Sequence, residues 1–192
     1  MNCICLLGSP RKNGNSATVA ARLMSRMAEL GAEVETICLN ELNYRGCQGC
    51  YACKNGSEEC VLQDDLTAVL EKVRNADALV LASPVYYGDV SGQLKNFIDR
   101  TFCFLKPKYY ARPDCSRLAP GKGFAMILTQ GHLDENRFAD VFPRYNEFFQ
   151  WYGYRSGALL RGIGISELSN VAKREYLMDG AWEVAEKLVK GE

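Results

Sequence analysis

The sequence predicts an α/β protein built on a five-stranded parallel sheet with helices on both faces, and three observations carry that prediction. Strand-like and helix-like segments alternate along the chain. Residues 78–82 (ALVLA) are apolar without a break, as expected of a central parallel strand covered on both sides. The first helix-like segment carries a single apolar stripe, which needs a sheet face to cover it. Parallel strands joined by right-handed crossovers follow from this order.

Each element has its own signal. Residues 2–7 (NCICLL) form a short apolar strand that stops at Gly8. Residues 16–30 place Val19, Leu23, Met27 and Leu30 at spacings of three to four, a helix that Gly31 ends. Residues 33–39 alternate as a strand. A second helix covers 64–75, with Asp64 or Asp65 as its N-cap. A third covers 91–104, with Leu94, Phe97, Ile98 and Thr101 on one side. Residues 123–129 (GFAMILT) form the fourth strand, 136–152 an aromatic-rich helix broken near Pro143, 157–165 the last strand and 170–190 the closing helix. The polar stretch 106–122 reads as a loop excursion. The 192 residues suit one domain, 1–192, with a cysteine-rich insertion at about 44–63.

Composition excludes several classes. The formal net charge is zero, which gives no bulk attraction to nucleic acid or an anionic membrane. No apolar run is long enough to cross a bilayer, and the N-terminus shows no export signal. A cytoplasmic location is the expectation. No Ser-His-Asp set and no acid pair suited to hydrolysis stands out. His132 is the only histidine, and a lone loop histidine is more often solvated than catalytic.

In a doubly wound sheet, ligands bind beyond the carboxyl ends of the strands, so the chemistry should follow strands. Residues 8–16 (GSPRKNGNS) join the first strand to the first helix. Glycines for tight turns, short polar side chains, two cations and a helix N-terminus make an anion cradle, or else an ordinary capped loop. The glycine spacing is neither that of a dinucleotide fingerprint nor that of a Walker A loop. Residues 83–90 (SPVYYGDV) follow ALVLA. Here Pro84 stiffens the turn, Tyr86 and Tyr87 can lie against a flat ligand or a neighbouring subunit, and Gly88 permits close backbone approach. Thr129, Gln130 and Gly131 follow the fourth strand.

The run G-S-P-R-x-x-G-N-S and the later P-V-Y-Y-G-x-x-S-G-x-L-K-N-F-I-D-R resemble the flavodoxin-like NADPH-dependent FMN reductase family. The resemblance covers most of residues 1–165. It implies a flavodoxin-like three-layer sandwich that binds FMN. It assigns Ser9, Arg11, Asn13, Asn15, Ser16 and Ala17 to the FMN phosphate. Pro84, Val85, Tyr86, Tyr87 and Gly88 would line the flavin ring, and Thr129, Gln130 and Gly131 would touch the ring or ribityl chain. Lys95, Asp99 and Arg100 are expected at the surface or at a dimer contact.

Nine cysteines are many for such a chain, and four of them follow C-x2-C-x2-C-x6-C: Cys47, Cys50, Cys53 and Cys60. That spacing suits thiolates around one iron-sulfur cubane better than structural zinc. It also resembles the compact motif of the iron-sulfur flavoprotein branch, in which a [4Fe–4S] cluster lies near the FMN of a partner subunit. Related reductases carry similar runs with free, disulfide-bonded or redox-active cysteines, so both readings stand. Cys3, Cys5 and Cys38 sit in strand-like runs and read as small buried hydrophobes.

The implied function is that of an FMN-dependent oxidoreductase. Electrons pass from NAD(P)H or a ferredoxin-like donor through FMN, with or without the cluster, to an acceptor. A cluster-free quinone reductase, a flavodoxin-type carrier and a redox-sensing module are the alternatives. A homodimer or homotetramer is expected, with Phe142, Tyr145, Phe148, Phe149, Trp151 and Tyr152 as core or interface.

Overall fold

Alternating faces of the strands decide where each helix packs. In the computed structural model, which describes residues 1–166 and 170–192, β1 (Asn2–Leu7) turns Cys3, Cys5 and Leu7 to one side and Ile4 and Leu6 to the other. The first set meets the apolar stripes of α1 (Asn15–Glu29) and α5 (Glu175–Lys190). The second meets α2 (Asp65–Asn75), α3 (Gly92–Arg100) and α4 (Val141–Trp151). Both cores are built of buried apolar side chains, aromatic as well as aliphatic only on the α2, α3 and α4 side, so the sheet is the middle of three layers.

The main sheet runs β2-β1-β3-β5-β6, all parallel, with β2 (Glu33–Cys38), β3 (Ala78–Tyr86), β5 (Gly123–Thr129) and β6 (Ala158–Gly162). This is the doubly wound order whose switch point lies between β1 and β3. A short sixth strand, β4 (Asp89–Val90), pairs antiparallel with the end of β3. The five parallel strands and the two helical layers are those expected from the alternating pattern.

Local chemistry fixes the ends of the elements. Asp64 caps α2: its side chain accepts from the Leu66 N–H, and Thr67 Oγ1 returns the favour to the Asp64 N–H. Ser91 caps α3 by accepting from the Leu94 N–H. Pro143 does not break α4, because it sits in the first turn, where an N–H has no helical partner to lose. The third helix ends at Arg100 and tightens into a 3-10 turn, Thr101–Phe104, instead of continuing to 104. The closing helix begins at Glu175, after a 3-10 turn at Asn170–Lys173.

The segment 84–90 is a hairpin and not an open loop. β1 pairs with β3 only as far as Ala82, so Pro84 forfeits no bond on that side. The chain then turns through Tyr87 (φ 51°) and Gly88 (φ 84°) and returns as β4, with Tyr86 opposite Asp89. Two successive positive φ values are what the type I′ form of a two-residue hairpin turn demands. Tyr87 meets that demand at a cost no glycine would incur.

Candidate functional site

The strand-end loops converge. A pocket of ≈250 Å³ lies beyond β1, β3 and β5. Ser9, Arg11, Asn15 and Ser16 form one wall, Pro84, Val85 and Tyr86 another, and Thr129 and Gly131 a third. Ile165 and Ser166, just past β6, complete the lining. Sequence reading missed these last two. The signal was available, since they too follow a parallel strand.

The first turn of α1 faces this pocket. Its N-cap is Gly14, with no side-chain cap and no acidic residue in the first turn. Its N–H groups and the helix dipole therefore have no local carboxylate to answer them. Ser9 and Ser16 are buried beside them, and Ser9 Oγ accepts from the Arg11 N–H at 3.1 Å. Lys12 turns away to pair with Glu41 at 3.0 Å. Asn13 is exposed and Ala17 is buried beneath the loop, and neither lines the pocket.

Two hydroxyls lock the first two loops together. Ser91 Oγ donates to the Gly8 carbonyl at 2.6 Å, and the Ser91 N–H donates to Ser83 Oγ at 2.9 Å. The Gly8 N–H in turn donates to the Ala82 carbonyl at 2.8 Å. This contact leaves no room at Gly8, where a Cβ would stand 2.7 Å from Leu94 Cβ.

The remaining predicted residues have distinct positions. Tyr87 is fully exposed at the hairpin tip, and Gly88 packs under Phe138. Gln130 is buried and does not line the pocket. Its Nε2 donates to the carbonyls of His132 and Asp134, and its Oε1 accepts from Arg161 at 2.8 Å, so it braces the third loop from behind. His132 is exposed, and its Nδ1 accepts from the Asp134 N–H. Tyr145 on α4 donates its hydroxyl to Asp89 at 2.7 Å, tying the hairpin to the helical layer. Burial and this carboxylate push the Tyr145 phenol well above its usual range. Tyr145→Phe is expected to lower stability by about 1–2 kcal/mol, because Asp89 stays reachable by water. A urea titration checks this.

The cysteine insertion forms a second site. A cavity of ≈580 Å³ is lined by Cys47, Cys50, Cys53 and Cys60, a fifth cysteine, Cys103, and rings from α4. All nine cysteines are free thiols. Burial pushes the Cys103 thiol up to about 11. Among the described residues, no three His, Cys, Asp or Glu side chains converge closely enough to hold a metal ion in this conformation. Burial also lowers the Lys54 ammonium below its ordinary value.

Arg100 corrects the sequence reading. It is a buried cation and not a surface or dimer contact, and it pairs with Asp64 at 2.8 Å. Lys95 and Asp99 pair with each other on the exposed side of α3. In the aromatic stretch, Tyr145, Phe149 and Tyr152 belong to the core, whereas Phe148 and Trp151 are exposed. Cys3 and Cys5 are fully buried, as expected.

The family model for NADPH-dependent FMN reductase matches residues 1–133, the part of the chain that contains the pocket loops after β1, β3 and β5. The chain belongs to this family. An iron-sulfur flavoprotein of Methanocaldococcus jannaschii is 40% identical over 101 residues, 53% of this chain and 52% of its own. Another from Archaeoglobus fulgidus is 34% identical over 131 residues, 68% of this chain and 60% of its own. The chain thus spans about half the length of the first curated relatives it matches. An FMN-dependent NADH-azoreductase of Bacillus anthracis, solved with FMN, superposes with a TM-score of 0.74 at 15% identity, covering 98% of this chain and 99% of its own. An NAD(P)H:quinone oxidoreductase of Methanothermobacter marburgensis gives 0.72 at 19% identity, covering 98% of this chain and 97% of its own. At these identities the likeness speaks to the flavodoxin-like FMN reductase fold. No helix among the described residues is long and apolar enough to cross a membrane.

Proposed function

We propose that this chain holds FMN in the pocket beyond β1, β3 and β5 and works as an oxidoreductase. Electrons would pass from NAD(P)H or a ferredoxin-like protein to an acceptor. One observation carries the reading: three strand-end loops meet at one pocket, and the uncapped N-terminus of α1 faces into it. The FMN phosphate would sit against the α1 amides, Ser9, Arg11, Asn15 and Ser16, with Asn13 and Ala17 shaping the loop. Pro84, Val85 and Tyr86 would line the ring, and Tyr87 and Gly88 would form the hairpin edge above it. Thr129 and Gly131 would meet the ring or ribityl chain, with Gln130 holding their loop. Bound FMN supplies hydride and single-electron chemistry. The protein's share is to fix the phosphate, shape the ring site and leave one side open to a donor or acceptor.

The cysteines are assigned to a [4Fe–4S] cluster held by Cys47, Cys50, Cys53 and Cys60. The support is a donor set of four free thiols among the residues that line one cavity. Nine free thiols also favour a reducing, cytoplasmic compartment. Exposed Tyr51, Phe148 and Trp151 around the cavity favour a homodimer or homotetramer, which light scattering measures.

Anaerobic purification followed by a visible spectrum, with iron and acid-labile sulfide assayed on the same sample, tests both cofactors. Flavin bands with about four irons per chain are expected. Folded protein that fails to quench FMN fluorescence overturns the flavin site. Flavin without iron or sulfide after reconstitution overturns the cluster. Turnover of NAD(P)H with a quinone distinguishes an enzyme from a carrier.

A further inference from the structure

Three cations hold the cysteine loop. Arg100 Nη1 donates to the Arg45 carbonyl at 2.9 Å and to Asp64 Oδ2 at 2.8 Å, and Nη2 donates to the Leu62 carbonyl at 3.3 Å. It therefore grips the chain both before Cys47 and after Cys60. Its Nε is buried without a partner, and the Cys60 side chain interacts with the guanidinium. Arg117 Nη2 donates to the Cys53 carbonyl at 3.1 Å, while its Nη1 holds the carbonyls of Cys103 and Leu105. Lys54 Nζ donates to the carbonyls of Phe102 and Leu105 and lies 3.4 Å from Cys53 Sγ.

The charges around the loop do not balance. Arg74 is paired with Glu59 and Lys95 with Asp99, so those pairs cancel. Of Lys54, Arg100 and Arg117, only Arg100 is paired with a carboxylate, Asp64, while Lys54 and Arg117 donate to main-chain carbonyls, so among the described residues two positive charges beside the sulfurs have no ion-pair partner. A partly buried surplus of this kind is costly unless an anion offsets it. An iron-sulfur core held by four thiolates is such an anion, since the thiolates outweigh the charge of the core.

We propose that Lys54, Arg100 and Arg117 are a built-in counter-charge for a cluster in the cysteine cavity, positioning residues that close the loop and raise the cluster's reduction potential. This rests on the cluster assignment above. Each added electron makes the cluster more negative, so neighbouring cations favour the reduced state. Their grip on backbone carbonyls at Arg45, Cys53 and Leu62 also holds the thiols in place, as outer-shell partners do at other metal centres.

The test uses Arg117→Gln and Arg117→Lys, each reconstituted with iron and sulfide. Iron content, midpoint potential by spectroelectrochemical titration and the rate of iron loss to a chelator are measured beside the wild type. Arg117→Gln is expected to titrate at a more negative potential and to lose iron about tenfold faster. Arg117→Lys, which keeps the charge, is expected to recover most of the potential. FMN affinity serves as the control for folding. Should Arg117→Gln fail to fold, Lys54→Gln carries the same expectation from a second, half-buried position. Full iron with an unmoved potential in the glutamine variant overturns this inference alone. Wild-type protein that takes up FMN but no iron overturns the cluster assignment, and this inference falls with it.

Discussion

Asp64→Ala is expected to cost about 3–5 kcal/mol of folding free energy. The Arg100 side chain has no exposure and Asp64 only 14%, so the substitution strands a cation with little water to reach it. It also removes the α2 cap, which contributes about 1 kcal/mol of the total. Equilibrium urea unfolding at neutral pH measures the loss. A cost below about 1 kcal/mol would mean that the pair behaves like a solvated surface bridge. The same pair predicts an acid limb. Burial, the largest single influence, would raise the Asp64 carboxyl, but the hydrogen bond and charge of Arg100 together with the N–H groups of Arg45 and Leu66 outweigh it and hold the carboxyl below its ordinary value. A depressed folded-state value makes the stabilisation present at neutral pH and lost as pH falls below about 4. Wild-type stability should therefore drop across that range, and the Asp64→Ala protein should lack this share of the slope.

Gly8→Ala is expected to lower FMN affinity at least tenfold and to cost about 1–3 kcal/mol of stability. An added Cβ would lie 2.7 Å from Leu94 Cβ and 2.8 Å from Ser91 Oγ. Neither neighbour can yield easily, because Leu94 is fully buried and Ser91 caps α3. Relief must come from moving the 8–16 loop away from the hairpin, which breaks the bond from Ser91 Oγ to the Gly8 carbonyl. Fluorescence titration with FMN reads the affinity, and thermal unfolding reads the stability. Affinity within twofold of wild type would show that the two loops need not be locked for flavin to bind.

The three pocket loops were legible because topology alone dictates where they lie. Ser9 follows β1, Pro84 lies in the tail of β3, and Thr129 ends β5, so a sheet of this order must bring them together. The spacing of Cys47, Cys50, Cys53 and Cys60 was legible for a similar reason, since short intervals keep thiols on one loop. Arg100, Lys54 and Arg117 were not. Apart from the Arg100–Asp64 ion pair, their partners are mostly main-chain carbonyls up to 64 residues away, and a carbonyl leaves no mark in a side-chain pattern. Arg100 follows an amphipathic run whose exposed side does carry Lys95 and Asp99, so its burial depended on where the insertion folds back. The hairpin at Tyr87 was hidden too, because a tyrosine at positive φ gives no turn signal of the kind an Asn-Gly pair would.

The two cores on either side of the sheet meet only through its strands, and the cysteine loop packs against one of them, with α2, α3 and α4. Loosening of that loop has a short path into those three helices and none into α1 and α5 except through the sheet. Hydrogen exchange would then divide the molecule by layer and not by sequence. If the cysteines hold the proposed cluster, amides of α2 and α3 would open first on its removal, while α1, which faces the proposed flavin pocket, stays protected. On that proposal, the cluster and the flavin are lost independently of each other.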